Sequence, residues 1–410
     1  MSGRCRSNKG PRSVSLSRRS ETYRSGSNTD GGLRVGRNFL REGDACTAYF
    51  FQKLKKRRAK VTITKLKTED GVSLETHGEI GKEIHNFYRK LYAVPQTTEE
   101  GKRASRELIQ NLNVSMSLEQ RTLIDDEPTE REIFDIVKML PSGKSPGPDG
   151  LGVEVLLLLW PVVSKLYCQA FQEFWDKGHL LPAFKEGFFS CYQKLMTPWR
   201  STHNCIIHFA LVHEALKMQR KSTMFLMLDQ EKAYDRLLPE FLWDVMRGLE
   251  FSQETIRRVQ ALQTEVKTRI ILNGTLLPTF DVGRGVRQGC PLSPLLFVLV
   301  TIPFIQGVQR EIRLCKVKAV DLKPDLHVSI VCLADDVAIY MEPDERSMNN
   351  LFVFLRSVEI ASGERINKQK SKLLIVGKTS PVPQWWRVSG FQVIQPEQPV
   401  TYLGGYDQKP

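Results

Sequence analysis

Two adjacent aspartates, Asp335 and Asp336, are the residues of this sequence whose types and spacing best suit chemistry. They lie between the apolar runs 327–333 and 337–340, and these runs predict a strand, a tight turn and a second strand. Two carboxylates held this close repel each other, so we expect a positive partner such as Mg²⁺, which prefers carboxylate and phosphate oxygens. The alternative for the pair alone is ordinary turn chemistry, because aspartate favours turns.

A third acid, Asp229, follows the apolar run 224–228. An acid at the carboxyl end of a buried strand is fixed by the sheet and faces the loops that bind substrate. Three such carboxylates could gather two metal ions, which is the arrangement used for in-line phosphoryl or nucleotidyl transfer. Between Asp229 and Asp335 lies the segment 283–294, whose glycines allow close backbone approach to a ligand and whose Arg284 and Arg287 add positive charge.

The net charge of the 410-residue chain is +13, which predicts a polyanionic partner, nucleic acid before a membrane surface. Residues 1–37 are basic and rich in Ser and Gly, so we expect a disordered tail and, less readily, a mitochondrial presequence. Eight scattered cysteines without a Cys-x-x-Cys pair favour a reducing compartment. His203, Cys205, His208 and His213 have the residue types of a zinc site, but their spacing fits no paired site.

Several elements are predicted around these acids. A helix should cover Ile80–Tyr92, a polar linker with one helix 95–128, and a helix with a capping box should begin at Thr129. Asn273-Gly274 predicts a hairpin, and Gly363 should end an amphipathic helix. The apolar runs 155–163 and 295–305 fall short of the roughly 20 residues of a membrane helix. We therefore expect buried core there, with a helix pair over 153–176.

The basic run 53–60 follows the aromatic cluster Tyr49–Phe51, which suits phosphate contact with base stacking and suits a solvated helix face equally well. Lys144, in the punctuated loop 142–150, could reach a phosphate, although the loop lacks the glycine spacing of a P-loop.

Several stretches, in order, resemble the reverse transcriptase of a non-LTR (LINE-type) retrotransposon. They are Ser145-Pro-Gly-Pro-Asp-Gly-Leu151, Leu228-Asp-Gln-Glu-Lys-Ala-Tyr-Asp-Arg236, Gly285-Val-Arg-Gln-Gly-Cys-Pro-Leu-Ser-Pro294, Leu333-Ala-Asp-Asp336, Gly363 with Asn367, Lys370 and Ser371, and Tyr402-Leu-Gly404. The resemblance spans about residues 38 to 405, because the segment around Leu40–Asp44 also resembles the region upstream of the polymerase in these elements.

The resemblance implies a role for each matched residue. Asp229 and Asp335 would bind two ions of Mg²⁺ (or Mn²⁺), with Asp336 beside them. Tyr234 would lie under the incoming sugar and reject a 2′-hydroxyl, and Lys370 would protonate the departing pyrophosphate. The remaining implied sites are the nucleotide and template pocket (Arg287, Gln288 and Gly289) and the primer grip (Tyr402, Leu403 and Gly404). Tyr234 as a core aromatic and Lys370 as a solvated lysine remain the alternatives.

The resemblance also implies an α+β fold with a polymerase palm, in which helices pack on an antiparallel sheet. The expected segments are a tail (1–37), a basic helical extension (38–127), partial fingers (128–223), the palm (224–405) and a short tail (406–410). The partners would be an RNA template, a DNA primer and deoxynucleotide triphosphates, without a membrane. The expected location is nuclear or cytoplasmic rather than secreted.

Some features depart from the family pattern. Only residues 183–199 stand where the family has a long basic fingers segment that holds the triphosphate, and Leu333 replaces the usual aromatic. Neither an upstream endonuclease nor a thumb is expected within the chain. The predicted function is RNA-directed DNA polymerase. The alternatives are a non-catalytic RNA- or DNA-binding remnant and a fragment that does not fold stably.

Overall fold

The computed structural model describes residues 62–68, 70–140, 142, 152–178, 180, 185–191, 222–323, 326–333, 336–376 and 390–394. The chain divides into two compact units, Met1–Val61 and Thr62–Pro410, and every described residue belongs to the second. Several sequence predictions therefore lie outside the described residues. These are the basic tail 1–37, the run 53–60, the loop 143–151, the His/Cys cluster at 203–213, Asp335, and the primer-grip residues Tyr402, Leu403 and Gly404.

The described helices are α1 (His77–Tyr92), α2 (Glu99–Gln110), α3 (Leu118–Asp125), α4 (Glu130–Met139), α5 (Val153–Lys177), α6 (Ala233–Arg236), α7 (Pro239–Gly248), α8 (Gln253–Gln263), α9 (Ser293–Arg313) and α10 (Glu345–Ser362). The strands are β1 (Leu66–Lys67), β2 (Ser73–Leu74), β3 (Glu186–Cys191), β4 (Thr223–Asp229), β5 (Val266–Leu272), β6 (Thr275–Leu276), β7 (Phe280–Val282), β8 (Val320–Lys323), β9 (Leu326–Val328), β10 (Ile330–Leu333), β11 (Asp336–Met341), β12 (Lys372–Val376) and β13 (Gln392–Ile394). This mixture confirms the predicted α+β class.

The central sheet has five strands in the order β10-β11-β4-β12-β13. Neighbouring strands are antiparallel except for the parallel pair β12 and β13. In β4 every residue from Thr223 to Leu228 is buried, because both faces of this middle strand are covered. That burial explains why β4 is a continuous apolar run rather than an alternating one.

Helices α2, α7, α9 and α10 pack together with the central sheet around the main hydrophobic core. The prediction of a polar linker with one helix over 95–128 is therefore wrong, because two helices, α2 and α3, form there and α2 belongs to the main core. Helix α2 is polar overall, but Ala104 and Leu108 recur at helical spacing and join that core. The capping box at Thr129 and the left-handed cap at Gly363 (φ 77°) are both confirmed.

A second sheet, formed by β3, β5, β6 and β7, packs against α1. Strand β3 runs parallel to β5, whereas β6 and β7 pair with β5 antiparallel. The hairpin predicted at Asn273-Gly274 is confirmed, and both residues have positive φ angles, 51° and 89°, as a type I′ turn requires. Asn273 also exchanges two hydrogen bonds with the backbone of Ile63, so the first described residues are tied to this sheet.

Helix α5 differs from its prediction. The segment 153–176 forms one helix of 25 residues with Pro161 inside it, rather than a buried helix pair. One side of α5 packs on α4 through Trp160, but Leu158, Val162 and Leu166 are more than two-thirds exposed. An apolar run predicts burial only where other elements cover it. Among the described residues, α4 packs on one side of α5, and Arg257 and Arg258 of α8 contact its C-terminal end.

Two described helices, α5 and α9, are long and apolar enough to cross a membrane by length and composition alone. They extend beyond the shorter apolar runs on which the sequence prediction was based, to 25 and 21 residues. Helix α9 lies largely inside the main core, as predicted for 295–305, and a buried core helix can satisfy the same criteria.

Candidate functional site

The end of β4 and the start of β11 meet at one edge of the central sheet. Asp229, the last residue of β4, is the register partner of Asp336, the first residue of β11. Strands β10 and β11 form the predicted hairpin, with Leu333 opposite Asp336, so only Ala334 and Asp335 connect them. The pairing therefore brings Asp229 opposite Asp336, the second residue of the predicted Asp-Asp pair, at the level of the backbone. Asp335 and the side chain of Asp336 lie outside the described part of the chain.

The backbone of Asp229 is held by the segment that follows Gly363. The Asp229 N–H donates to the Ser371 hydroxyl at 3.0 Å, and the Asn367 N–H donates to the Asp229 carbonyl at 2.8 Å. Ser371 is fully buried. Asn367 and Ser371 therefore hold the last residue of β4 in place.

An open cleft of about 1030 Å³ borders Asp229. The predicted acid, Lys370, lines the same cleft, so two of the predicted site residues share one opening. The charged lining residues are five basic (Lys232, Arg356, Arg365, Lys368, Lys370) and three acidic (Asp229, Glu231, Glu359). The excess of positive charge suits a phosphate-bearing ligand. Lys370 is exposed, so its interpretation as a solvated lysine stays open.

Tyr234 is the second residue of the short helix α6, and it lies two positions after Lys232, which lines the cleft. Its ring stacks on Phe297 of α9, with the ring centroids 4.5 Å apart and the planes 16° from parallel. The side chain is half-buried at the edge of the main core. The core therefore fixes the ring. This agrees both with a contact under the incoming sugar and with a role as a core aromatic.

The segment 283–294 docks on α6 through its backbone. The Gly285 N–H donates to the Leu237 carbonyl at 2.7 Å, and the Val286 N–H donates to the Tyr234 carbonyl at 2.8 Å. Gly285 has a φ of 84°, and a Cβ atom there would lie 2.6 Å from the Tyr234 carbonyl oxygen. Only glycine fits this close approach.

The three predicted pocket residues of this segment have different surroundings. Arg287 accepts from the Ser293 hydroxyl through its carbonyl at 2.6 Å, so its backbone braces the start of α9. Gly289 has a φ of 85°, and a Cβ atom there would meet nothing within 4 Å. Gln288 is exposed, yet its side-chain Nε2 donates to Asp235 Oδ1 at 2.7 Å.

Asp235 and Tyr92 are site-adjacent residues that sequence reasoning missed. Asp235 is buried, and the Tyr92 hydroxyl donates to its Oδ1 at 2.7 Å. Burial, followed by the charge of Asp235, raises the pKa of Tyr92 far above its ordinary value, so the hydroxyl remains a donor. In the sequence Asp235 stands between Tyr234 and Arg236, and such a neighbourhood does not by itself predict a buried acid. Once it is buried, the carboxylate needs hydrogen-bond partners.

Positive charge is concentrated around α6. Arg236 pairs with Glu231 at 2.8 Å, Arg284 donates to the Leu91 carbonyl at 2.6 Å, and the Arg365 carbonyl accepts from the Glu231 N–H. Burial, and then the nearby Arg236 and Arg365, lower the pKa of Arg284. Three arginines this close favour an anionic ligand.

The described side chains contain no group of three His, Cys, Asp or Glu residues that could hold a metal ion. Of the three predicted metal ligands, Asp229 alone has a described side chain. The sites of metal binding therefore remain predictions.

Comparisons with known proteins identify the family. The reverse transcriptase (RNA-dependent DNA polymerase) family model matches residues 178–406, a span that contains every predicted site residue. The chain is 25% identical over 420 residues to the Transposon TX1 uncharacterized 149 kDa protein of Xenopus laevis, covering 91% of this chain and 31% of that protein. It thus spans about a third of the length of that relative.

Among solved structures, apo telomerase from Candida Tropicalis truncated from its C-terminal domain resembles the chain at a TM-score of 0.35 and 14% identity. The likeness covers 56% of this chain and 44% of that one. The family assignment rests on the matched segment, which is more than half of the chain and confirms the resemblance drawn from the motifs. This chain belongs to the reverse transcriptase (RNA-dependent DNA polymerase) family.

Proposed function

We propose that the chain catalyses RNA-directed DNA synthesis, adding deoxynucleotides to a primer 3′-hydroxyl. The observation that carries the proposal is the register of Asp229 opposite Asp336, beside a positively charged cleft that Lys370 also lines. A nucleotidyl transfer needs carboxylates at the reacting phosphate and cations for the rest of the triphosphate, and this edge of the sheet supplies both types of group.

The donor set fits divalent metal ions. Asp229, Asp335 and Asp336 are hard oxygen donors, of the kind that Mg²⁺ and Mn²⁺ prefer. Asp229 and Asp336 are register partners on adjacent strands, and Asp335 precedes Asp336 in the sequence. These carboxylates would hold two such ions, whose charge would stabilise the attacking and leaving oxygens of an in-line displacement. The Asp229 backbone is hydrogen-bonded to Ser371 and Asn367 and lies in register with β11, so the position from which the first carboxylate extends is fixed.

The other predicted site residues bind the nucleotide and the primer, orient the sugar, and protonate the pyrophosphate. Lys370 gives a proton to the departing pyrophosphate, and Tyr234, fixed on Phe297, supports the sugar and excludes a 2′-hydroxyl. Arg287, Gln288 and Gly289 line the nucleotide and template pocket. Tyr402, Leu403 and Gly404 hold the primer end.

The proposed domain organisation follows from this assignment. The central sheet belongs to the palm (224–405), residues 128–223 are partial fingers, and 38–127 form the basic extension. Because α2 joins the same core as the central sheet, the extension and the palm form one folded body at that point.

A non-catalytic nucleic-acid-binding remnant is the second candidate. The observation that favours it is the cationic cleft lining, which binds phosphates without any metal. The segment 183–199 also stands where related enzymes carry their triphosphate-binding fingers.

Primer extension on an RNA template, with Mg²⁺ or Mn²⁺, separates the two candidates. We expect Asp335→Ala and Asp229→Asn to reduce extension by about a hundredfold or more, because each removes a proposed metal ligand. Asp126→Asn, an exposed acid after α3, is the matched control and should extend normally. Equal extension by wild type and Asp335→Ala would refute catalysis, whereas salt-sensitive RNA binding without any extension would support the remnant.

A further inference from the structure

We infer that Tyr92 and Asp235 act as positioning residues that fix the side chain of Gln288 for the nucleotide. This inference rests on the proposed function and adds to it residues that touch neither substrate nor metal. Tyr92 lies on α1, upstream of the segment 178–406 that matches the family model. A helix outside that segment therefore completes the nucleotide pocket within it.

Two hydrogen bonds converge on one oxygen atom and so link Tyr92 to Gln288 through Asp235. Asp235 Oδ1 accepts from the Tyr92 hydroxyl and from Gln288 Nε2, both at 2.7 Å. Asp235 is buried with 8% of its surface exposed, whereas Gln288 is exposed. The buried carboxylate thus anchors an exposed amide that would otherwise sample many rotamers.

The direction of these bonds determines what Gln288 presents to a ligand. A carboxylate oxygen only accepts hydrogen bonds, so the amide must face Asp235 with its NH₂ group. The other end of the same amide, its carbonyl oxygen, is an acceptor. Gln288 is then suited to a ligand group that donates, such as a sugar hydroxyl or a base amino group.

Tyr92 is itself held firmly. Its ring stacks on Phe280 with centroids 6.1 Å apart, and its carbonyl accepts from the Gly283 N–H at 3.0 Å. The neighbouring Leu91 carbonyl accepts from Arg284 at 2.6 Å. The end of α1 therefore contacts the segment 283–294 at its start, while the Tyr92 hydroxyl contacts the anchor of Gln288.

The test measures the Kd of dTTP for the full chain, bound to an RNA template and a DNA primer that ends in a dideoxynucleotide. Such a primer allows nucleotide binding without chemistry. We expect Tyr92→Phe to raise the Kd about threefold, as for loss of one hydrogen bond. In a Gln288→Ala background the same substitution should have no further effect, because nothing remains to be positioned.

A second variant excludes a purely structural role. The double substitution Asp235→Leu with Tyr92→Phe removes both buried polar partners together, so no buried group is left unsatisfied. We expect this protein to fold and yet to bind dTTP about tenfold more weakly, because Gln288 has lost its anchor. The matched control is Ser105→Ala, which removes another hydroxyl-to-carboxylate bond of 2.7 Å, from α2 to Asp244, and should leave the Kd unchanged.

The outcomes distinguish this inference from the proposed function. A folded double variant with the wild-type Kd overturns it, as does a threefold effect of Tyr92→Phe that persists in the Gln288→Ala background. If the wild-type chain binds dTTP but never extends an ordinary primer, catalysis fails and the Kd values alone decide the inference. If the wild-type chain binds no dTTP, the inference is overturned, because Gln288 then has no nucleotide to serve.

Discussion

The carboxyl group of Glu364 is buried, and it lines a small cavity together with Leu228 and Gln230, which lie on either side of Asp229 in the sequence. Burial raises its pKa from 4.5 to about 7, although the Ser362 hydroxyl opposes that shift. Among the described residues, its Oε1 and the Oε1 of Gln230 both lack a hydrogen-bond partner. Both residues line a cavity of about 20 Å³, which is enough for a single water molecule. A buried acid with one unsatisfied oxygen costs stability wherever it must be ionised.

The sign of the resulting pH dependence follows from the raised pKa. Between pH 4.5 and about 7 the folded chain keeps a proton at Glu364 that the unfolded chain releases, so its free energy of unfolding falls as pH rises. Glu364→Gln removes this dependence and can direct an amide donor at the Gln230 oxygen. We expect the variant to gain on the order of 1–3 kcal/mol at pH 8 and little at pH 4.

Urea unfolding at pH 4, 6 and 8 measures this effect. The control is Glu119→Gln, an exposed glutamate on α3. If Glu364→Gln follows the same pH dependence as wild type, ionisation of the buried carboxyl does not weaken the fold.

At the residue scale, sequence reasoning could identify residue types but not remote partners. The acids at 229, 335 and 336 stand out because they interrupt apolar runs. Asp235 and Tyr92, by contrast, are 143 positions apart, and no local pattern links them. Their hydrogen bond exists only because the end of α1 packs beside α6.

At the scale of elements, two glycines of the segment 283–294 provide a matched pair. Gly285 and Gly289 have almost the same φ angle, 84° and 85°, so alanine strains the backbone similarly at both. A Cβ atom at Gly285 would clash with the Tyr234 carbonyl at 2.6 Å, whereas at Gly289 it would meet open space. The difference in free energy of unfolding between Gly285→Ala and Gly289→Ala therefore measures how much the contact between this segment and α6 contributes.

We expect Gly285→Ala to destabilise the chain by about 3 kcal/mol or more and Gly289→Ala by about 1 kcal/mol. Chemical unfolding measures both values. Gly285→Ala should also weaken nucleotide binding, because the backbone bonds to Leu237 and Tyr234 hold the segment that carries Gln288. Equal destabilisation by the two variants would show that the close approach at Gly285 contributes nothing.

Elements with local signals could be predicted, and those set by packing could not. The Asn273-Gly274 hairpin, the Thr129 capping box and the Gly363 cap each depend on a few neighbouring residues. The segment 95–128 resembles a linker with one helix rather than a part of the core, because Ala104 and Leu108 of α2 are outnumbered by polar residues. Helix α5 was misjudged for the opposite reason, since its apolar surface exceeds what α4 covers.

At the scale of the whole molecule, the two compact units differ sharply in charge. Residues 1–61 contain sixteen Lys or Arg and four Asp or Glu, which is +12 of the total +13. Residues 62–410 are therefore almost neutral, at +1, although basic residues outnumber acidic ones, five to three, in the lining of the cleft. Long-range attraction to a polyanion is then expected from the first unit, and ligand positioning from the second.

Deleting residues 1–61 tests this division of roles. The remaining chain keeps its main core and the bonds between Ile63 and Asn273, so we expect a cooperative unfolding transition at nearly the wild-type midpoint. Binding to single-stranded RNA should weaken, and its salt dependence should become shallower, since each neutralised phosphate contributes about 0.7 to the slope of log K against log salt. A loss of at least three such contacts would reduce the slope by about two. An unchanged slope would contradict this division and would place the RNA contacts in residues 62–410. In that case, replacing Arg365 and Lys368 by Gln in the shortened chain should reduce the slope.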